Sequence, residues 1–467
     1  MKASRLIMFI LVFHTSAYAG KTPAGSGGAM AEAPGGLAAG RVIDSVICRS
    51  DPSQSYALYI PEKGNKEAMP ILYFFDPHGN GSLPLNKYKA LADAYGFILA
   101  GSNNSKNGND WPVTDNIWLH VAEDTKSRLK INAGRIYTVG FSGGAKVASY
   151  LALNHPEVKG VIAGGAGLPD GVAAGDFNFS FTAIAGEGDM NMTELVAISR
   201  ELDHTRTRHR ILFFDGKHEW APAGTMNLAF TGLQLDAMRL SLLPRDEAFI
   251  NRYIENSKKR LHDYYQFVQL IRVDRECRFS VSLLEGLTAE SRWFQGKADE
   301  LAATPLFKQQ QQARESLLVR EQNTKAEYEQ HFQQDNMPYW TKTIGDLQAK
   351  ANGRSSEGDM YQRLLAYLSL AFYSISNHFI NSNGNAEAAH FVTLYKLADP
   401  GNSEAWYFSA ILNARNGEAR AAQDDLLKAV GFGFRDERRM KQQPEFQASR
   451  LNFSAIEASM RAPGKDK

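Results

Sequence analysis

The chain has 467 residues, which is too long for a single ordinary core, so we expect two or three domains. A hydrophobic fraction of 43% and a charged fraction of 22% are typical of soluble globular proteins. The 52 basic and 51 acidic residues leave a net charge of +1, which gives no electrostatic reason to expect nucleic acid or an anionic membrane as a partner.

The N-terminus carries the features of an export signal. Lys2 and Arg5 form a basic start, an apolar run follows, and Ala17-Tyr18-Ala19 has the small-x-small pattern of a cleavage site. The run is shorter than the ~20 apolar residues that a membrane-spanning helix needs, so we expect no membrane span. Residues 1–19 are therefore predicted to be a signal peptide, cut after Ala19, and the protein to be periplasmic or secreted.

A Gly- and Ala-rich stretch, residues 20–40, is expected to form a flexible leader. From residue 41 to 240, short apolar runs alternate with helical stretches, which predicts an α/β domain with a mostly parallel sheet covered on both faces. The first two runs are candidates for an antiparallel hairpin at one edge. The predicted strands are RVIDSVICR, SYALYIP, PILYFFDP, FILAGS, RIYTVGFS, VKGVIAGG, FTAIAGEGD and HRILFFDG. The predicted helices between them are NKYKALADAYG, DNIWLHVAEDTKSRLK, AKVASYLALNHP and MTELVAISRELDHT.

After about residue 242 the strand pattern ends. Residues 241–350 are rich in Glu, Gln, Lys and Arg and are predicted to be a helical connector with solvated faces. Residues 351–467 contain successive helical segments, and the stretch 399–432 has small and aromatic residues near a ~34-residue helix-pair spacing. These residues are Trp406, Ala410, Gly417, Ala421 and Ala429. The stretch resembles the tetratricopeptide repeat (TPR), which implies an all-α, TPR-like helical-repeat region that offers a surface to a protein partner.

The sequence Gly140-Phe141-Ser142-Gly143-Gly144 lies where an apolar strand passes into a helix. G-x-S-x-G in that setting is the nucleophile elbow, a turn so tight that it forces strained dihedrals on its serine. The glycines leave room for the turn, and the Ser142 hydroxyl is expected to stand clear of the sheet. A phosphate-binding loop is excluded, because Lys146 is preceded by Ala and followed by Val.

A serine hydroxyl needs a histidine to take its proton and a carboxylate to orient that histidine. In chains with a nucleophile elbow, the acid follows the serine along the sequence and the histidine comes last. Asp189 follows one later strand and His218 follows the next, both at strand ends where open α/β sheets keep their sites. The predicted triad is therefore Ser142, Asp189 and His218. Asp170, Asp176, Glu187 and Asp215 stay open as alternative acids, and His155, His204 and His209 are expected to be surface or packing residues.

The oxyanion hole needs a second backbone amide besides that of Gly143, usually from the loop after the third strand. The sequence His78-Gly79-Asn80-Gly81 follows that strand, and its small residues let the backbone approach a developing oxyanion. We expect the Asn80 N–H to be this donor, with Gly79 as the alternative. His78 has no H-E-x-x-H partner and no cluster of carboxylates beside it, so no metal site is predicted.

The segments HGNG, GFSGG, GEGD and GKHEW lie at successive predicted strand ends. With these motifs, residues 41–240 resemble the α/β-hydrolase superfamily, and within it the exported esterases and polyhydroxybutyrate depolymerases. The resemblance implies a doubly wound, mostly parallel sheet and a serine hydrolase that works through an acyl-enzyme without metal or organic cofactor. DPHGNG departs from the commoner apolar-HGG pattern, which leaves the second oxyanion amide open.

The predicted function is that of a carboxylesterase acting on a small ester at Ser142. Trp220, Asn103 and Trp111 are candidates for the substrate pocket, with ordinary rim residues as the alternative. A serine peptidase of the same fold would use this machinery on a peptide-like substrate, and an inactive domain would bind a ligand while the repeats bind a partner. Cys48 and Cys277 either pair in an oxidising compartment or stay free thiols.

Overall fold

The computed structural model describes residues 37–334, 336–353 and 355–461. The predicted signal peptide, residues 1–19, its cleavage site and most of the leader lie outside the described residues. The chain divides into two compact units, of which the first ends at Ser316 and the second begins at Leu317.

An eight-stranded sheet forms the centre of the first unit. Its strands are β1 (Val42–Ile47), β2 (Ser55–Tyr59), β3 (Met69–Phe75), β4 (Ile98–Ser102), β5 (Ile131–Phe141), β6 (Val158–Gly164), β7 (Ser180–Gly186) and β8 (His209–Phe214). Their order across the sheet is β1-β2-β4-β3-β5-β6-β7-β8. β1 and β2 form the expected antiparallel hairpin at one edge, β2 is antiparallel to β4, and β4 through β8 pair in parallel.

Helices cover both faces of this sheet. They are α1 (Ser82–Tyr95), α2 (Trp111–Arg128), α3 (Gly143–Asn154), α4 (Met192–Leu202) and α5 (Ala223–Arg239). Alternate residues of β3 point to opposite faces: Leu72 and Phe74 share a core with Tyr88 of α1, whereas Tyr73 packs edge-on against Trp118 of α2 at a ring-centroid distance of 4.8 Å. The predicted doubly wound, mostly parallel sheet with helices on both faces is therefore confirmed.

Three helices that follow the sheet belong to the same unit. They are α6 (Glu247–Gln266), α7 (Leu270–Leu284) and α8 (Glu290–Ala303). Ile250, Val273 and Phe294 of these helices are buried in the same core as the sheet. This differs from the expectation of solvated connector faces, because each charge-rich helix also has an apolar stripe at helical spacing. The first unit thus extends past residue 240, while the limit predicted at residue 350 stays a prediction.

In the second unit, the described residues contain helices and no strand. These helices are α9 (Pro305–His331, which spans the division at residue 316), α10 (Met337–Lys350), α11 (Ser356–Asn381), α12 (Asn385–Ala398), α13 (Ser403–Arg415), α14 (Ala419–Gly431), α15 (Glu437–Gln442), α16 (Pro444–Ala448) and α17 (Phe453–Arg461). Consecutive helices pack as pairs, α11 with α12 and α13 with α14. The all-α class of this region is confirmed, whereas its identity as a TPR stays a prediction. Across the described ranges, no helix has both the length and the hydropathy that crossing a bilayer requires.

Both cysteines lie in the first unit. Cys48 follows β1 and Cys277 is on α7; both side chains are buried and neither is in a disulfide. Burial raises the pKa of each thiol to about 12. Both groups therefore stay protonated at neutral pH, and a protonated thiol is a poor nucleophile.

We expect neither thiol to react with an aromatic disulfide reagent in the native protein, because both are buried and protonated. In denaturant without reductant, both thiols should react. The absorbance of the released thiolate counts them. A denatured protein that releases none would show that Cys48 and Cys277 had paired.

Candidate active site

Ser142 occupies the sharp turn between β5 and α3. Its backbone has φ 54° and ψ −126°, a region that non-glycine residues rarely adopt and that costs about 1–3 kcal/mol. The Ser142 N–H donates a hydrogen bond of 2.8 Å to the carbonyl of Gly164 at the end of β6. The turn is therefore held against the neighbouring strand, and the serine side chain projects from a strained elbow.

Two of the three glycines around Ser142, Gly140 and Gly144, are sterically required, because a Cβ there would meet backbone atoms. A Cβ on Gly140 would lie 1.9 Å from the Gly144 carbonyl oxygen, and a Cβ on Gly144 would lie 1.9 Å from the Phe75 carbonyl oxygen. A Cβ on Gly143 would lie 1.9 Å from Asn107 Oδ1. Real Cβ atoms essentially never approach another heavy atom within 3.0 Å. β3, β5 and α3 can therefore meet here only because Gly140 and Gly144 carry no side chain, whereas a Cβ on Gly143 would require the Asn107 side chain to move.

The structure brings Ser142, His218 and Asp189 into one hydrogen-bonded chain. His218 Nε2 lies 2.9 Å from Ser142 Oγ, and His218 Nδ1 lies 3.0 Å from Asp189 Oδ1. Asp189 is fully buried, and its Oδ1 also accepts a bond of 2.9 Å from the Asn191 N–H. Because a carboxylate only accepts, we assign the imidazole proton to Nδ1, which leaves Nε2 to accept from the serine hydroxyl.

The alternative acids are engaged elsewhere. Asp170 pairs with Lys146, Asp176 with Arg206, Glu187 with Arg275 and Asp215 with Arg272. Two of the histidines expected outside the site also have other partners, since His155 contacts Asp115 and His209 contacts Asp203. Of the carboxylates weighed from the sequence, Asp189 is the one that bonds to His218.

The loop after β3 engages its first two backbone amides, those of His78 and Gly79, in hydrogen bonds to Asp76. The His78 N–H donates to Asp76 Oδ1 at 2.9 Å, and the Gly79 N–H donates to the Asp76 carbonyl at 3.1 Å. The Asn80 N–H has no acceptor among the described residues. A donor that is already engaged is less available to an oxyanion, so the geometry favours Asn80 over Gly79.

Trp220 joins the histidine loop to the loop after β3. Its ring is buried against Phe141, which also packs on His218 at a centroid distance of 4.7 Å. The indole N–H donates to Asp76 Oδ2 at 2.9 Å. Burial alone would raise the pKa of Asp76, but hydrogen bonds from His78 and Trp220 lower it below the ordinary value. Asp76 is therefore a buried carboxylate that holds both loops.

The two other predicted pocket residues have different surroundings. The Asn103 side-chain amide donates to the Asp44 carbonyl at 3.0 Å, which ties the end of β4 to the edge hairpin. Trp111 begins α2, is 38% exposed and stacks on Tyr150 at 4.2 Å. Contact with substrate by Asn103, Trp111 or Trp220 stays a prediction.

No family model matches the sequence, and a search of curated proteins finds no match. Among solved structures, a hyperthermophilic esterase from Pyrobaculum calidifontis is similar over 50% of this chain and 91% of its own, with 12% identity and a TM-score of 0.36. An esterase from Rhizomucor miehei covers 42% of this chain and 83% of its own, with 15% identity and a TM-score of 0.35. An S-formylglutathione hydrolase from Staphylococcus aureus is similar over 42% of this chain and 98% of its own, with 10% identity and a TM-score of 0.35. Likeness at this level carries no argument about activity, so the chemistry is argued from the site itself.

Sequence reasoning missed Asp76 and Asn107. Asp76 directly follows β3, and Asn107 lies in the loop after β4, where its N–H donates to the Pro77 carbonyl at 2.8 Å. Polar residues just beyond parallel strands were a usable signal for both positions. Their partners were not visible, because Trp220 is 144 positions from Asp76 along the chain.

We expect the free energy of unfolding of Ser142→Gly to be about 1 kcal/mol higher than that of Ser142→Ala, because glycine adopts a positive φ without strain. Chemical denaturation of the two variants measures the difference. At Ser149, inside α3, the same pair of substitutions should favour alanine. Equal stability of the two Ser142 variants would contradict a strained elbow.

Proposed function

We propose that this protein is an exported serine hydrolase of the carboxylesterase type that works through an acyl-enzyme on Ser142. The observation that carries the proposal is the hydrogen-bonded chain from Ser142 Oγ through His218 to Asp189. Its position at a strained elbow adds support, because strain that the surrounding structure maintains is concentrated at functional sites.

In the first half-reaction, Ser142 Oγ attacks the ester carbonyl while His218 Nε2 takes the hydroxyl proton. Asp189 keeps the proton on Nδ1 and stabilises the imidazolium. The tetrahedral intermediate then collapses as the bond to the leaving oxygen breaks, and Nε2 returns its proton to the departing alcohol. Water, deprotonated by the same nitrogen, then attacks the acyl-enzyme. As the bond from the acyl carbon to Ser142 Oγ breaks, Nε2 returns this proton to Oγ, which releases the carboxylic acid and the free serine.

The negative charge on the intermediate's oxygen would be held by the backbone amides of Gly143 and Asn80. Gly143 is the first residue of α3, so its N–H has no partner within the helix. The Asn80 N–H likewise has no acceptor among the described residues. The nearby helix N-terminus also favours negative charge. Two preorganised donors of this kind are each worth about 10²–10³ in turnover.

Export, the branch of the superfamily and the partner are also part of the proposal. Export to a periplasm or beyond the cell rests on the N-terminal sequence, with the cut after Ala19. The exported esterases and polyhydroxybutyrate depolymerases are the branch favoured by GFSGG and GKHEW. A protein partner for the TPR-like helices is supported by the packed pair α13 and α14.

We expect wild-type protein to be labelled by a fluorophosphonate probe, because such probes phosphonylate an activated serine. Ser142→Ala should not be labelled, and its turnover of p-nitrophenyl acetate should fall by about 10⁴-fold or more. In-gel fluorescence and absorbance measure the two effects. Absence of labelling in a folded wild-type protein would favour a ligand-binding domain instead, and faster turnover of peptide p-nitroanilides than of esters would favour a peptidase.

Asp189→Asn should keep the fold but lower kcat by about 10⁴-fold, because an amide stabilises the wrong histidine tautomer. Asp176→Asn is the matched control, since Asp176 is a surface carboxylate paired with Arg206. Ester turnover is measured for both variants. Similar losses in the two would contradict the assignment of Asp189 as the orienting acid.

A further inference from the structure

Helix α7 presents two arginines to the loops that carry the acid and the histidine. One face of α7 is buried in the core through Val273, Cys277 and Leu284. Arg272 and Arg275 are three residues apart, and residues at that spacing lie on the same side of a helix. Their ion-pair partners are Asp215 and Glu187, respectively.

The pair Arg275–Glu187 is close to the triad and largely shielded from water. Glu187 precedes Asp189 by two residues, and the two side chains of the pair are only 18% and 17% exposed. The Arg275 guanidinium also lies 3.6 Å from the centroid of the Phe213 ring on β8. A charged pair in such surroundings fixes geometry more strongly than a solvated one.

The acid loop and the histidine loop are also joined through their backbones. The Glu187 N–H donates to the Phe214 carbonyl at 2.9 Å, and the Gly188 N–H donates to the Gly216 carbonyl at 2.9 Å. A displacement of Glu187 is therefore expected to move both loops. The second pair, Arg272–Asp215, adds a weaker contact, because its side chains are 39% and 71% exposed and solvent screens it.

We propose that Arg275 of α7 is a positioning residue for the triad and that it acts through Glu187. Without the guanidinium, the partly buried Glu187 carboxylate, two residues from Asp189, would lose the ion pair with Arg275 that fixes its position. The loop then gains by moving Glu187 toward water, which displaces Asp189 from His218 Nδ1. Helix α7, from outside the predicted 41–240 domain, thereby becomes part of what holds the active site. This inference rests on the proposed function for its kinetic consequence, but not for its structural one.

The test compares Arg275→Ala with Arg275→Lys and with Arg278→Ala. Arg278 is on the same helix, is 65% exposed and pairs with Asp274 one turn away, so it is the matched control. For p-nitrophenyl acetate, Arg275→Ala should lower kcat by about 10- to 100-fold with little change in KM, since small misplacements of catalytic groups have effects of that size. Lysine should restore part of kcat, because it keeps the charge but loses the planar fork and the ring contact. Arg278→Ala should behave as wild type.

Hydrogen exchange gives a readout that does not need activity. In Arg275→Ala, backbone amides of residues 186–191 should exchange faster than in Arg278→Ala, while those of the central strands stay protected. Wild-type kcat together with wild-type exchange in Arg275→Ala would overturn the proposal, and so would a kcat loss that only tracks a loss of folded protein. If Arg275→Ala does not fold, Arg275→Gln removes the charge with a smaller loss of side-chain volume, and the same criteria apply. Failure of the wild-type protein to react with the probe would defeat the proposed function, while the exchange comparison would still decide the role of Arg275.

Discussion

The hydrogen bond between Ser142 Oγ and His218 Nε2 joins residues that are 76 positions apart. It forms because β5, β6, β7 and β8 are consecutive neighbours in the sheet and run parallel, so their carboxyl ends meet at one edge. The segment after β6 contributes none of Ser142, His218 and Asp189 and must turn away without separating them. Gly165 does so with a φ of 66°, and a Cβ there would lie 3.0 Å from His218 Cε1. The site thus depends on strand order and register before it depends on any single side chain.

Strain at Ser142 is stabilised by contacts that are themselves possible only for glycine. The N–H of Ser142 is fixed by the Gly164 carbonyl, and Gly140 and Gly144 allow backbone to touch backbone on either side. In an unconstrained loop the serine would relax to a common conformation and its hydroxyl would turn away from His218. The close packing of three elements therefore offsets the strain at one residue, as is usual at functional sites.

The sequence was sufficient to predict the elbow and the approach of Asp189 and His218 to Ser142, because both follow local rules. Glycine spacing around Ser142 and the placement of Asp189 and His218 after apolar runs are visible in one dimension. Helix α5 was overlooked because GTMNLAFTGLQL has glycines and threonines that weaken the helical signal, although tertiary packing of Phe230 and Leu233 stabilises it. The bond from Trp220 to Asp76 was beyond prediction, because a long-range partner is chosen by the packed structure and not by the neighbouring sequence.

The charge content of α6, α7 and α8 did not predict that these helices pack against the core of the first unit. Arginine has a long apolar stem and a planar head, so it can lie on an aromatic ring and still reach a carboxylate. Arg275 does both, against Phe213 and Glu187, while Val273 and Cys277 on the same helix face the core. A helix rich in basic residues can therefore contact the sheet through its apolar face and through its arginines at the same time. Two ion-pair partners of α7, Glu187 and Asp215, lie within three residues of Asp189 and His218, respectively. The end of the strand–helix alternation at residue 240 therefore does not mark the end of the structure that supports the candidate site.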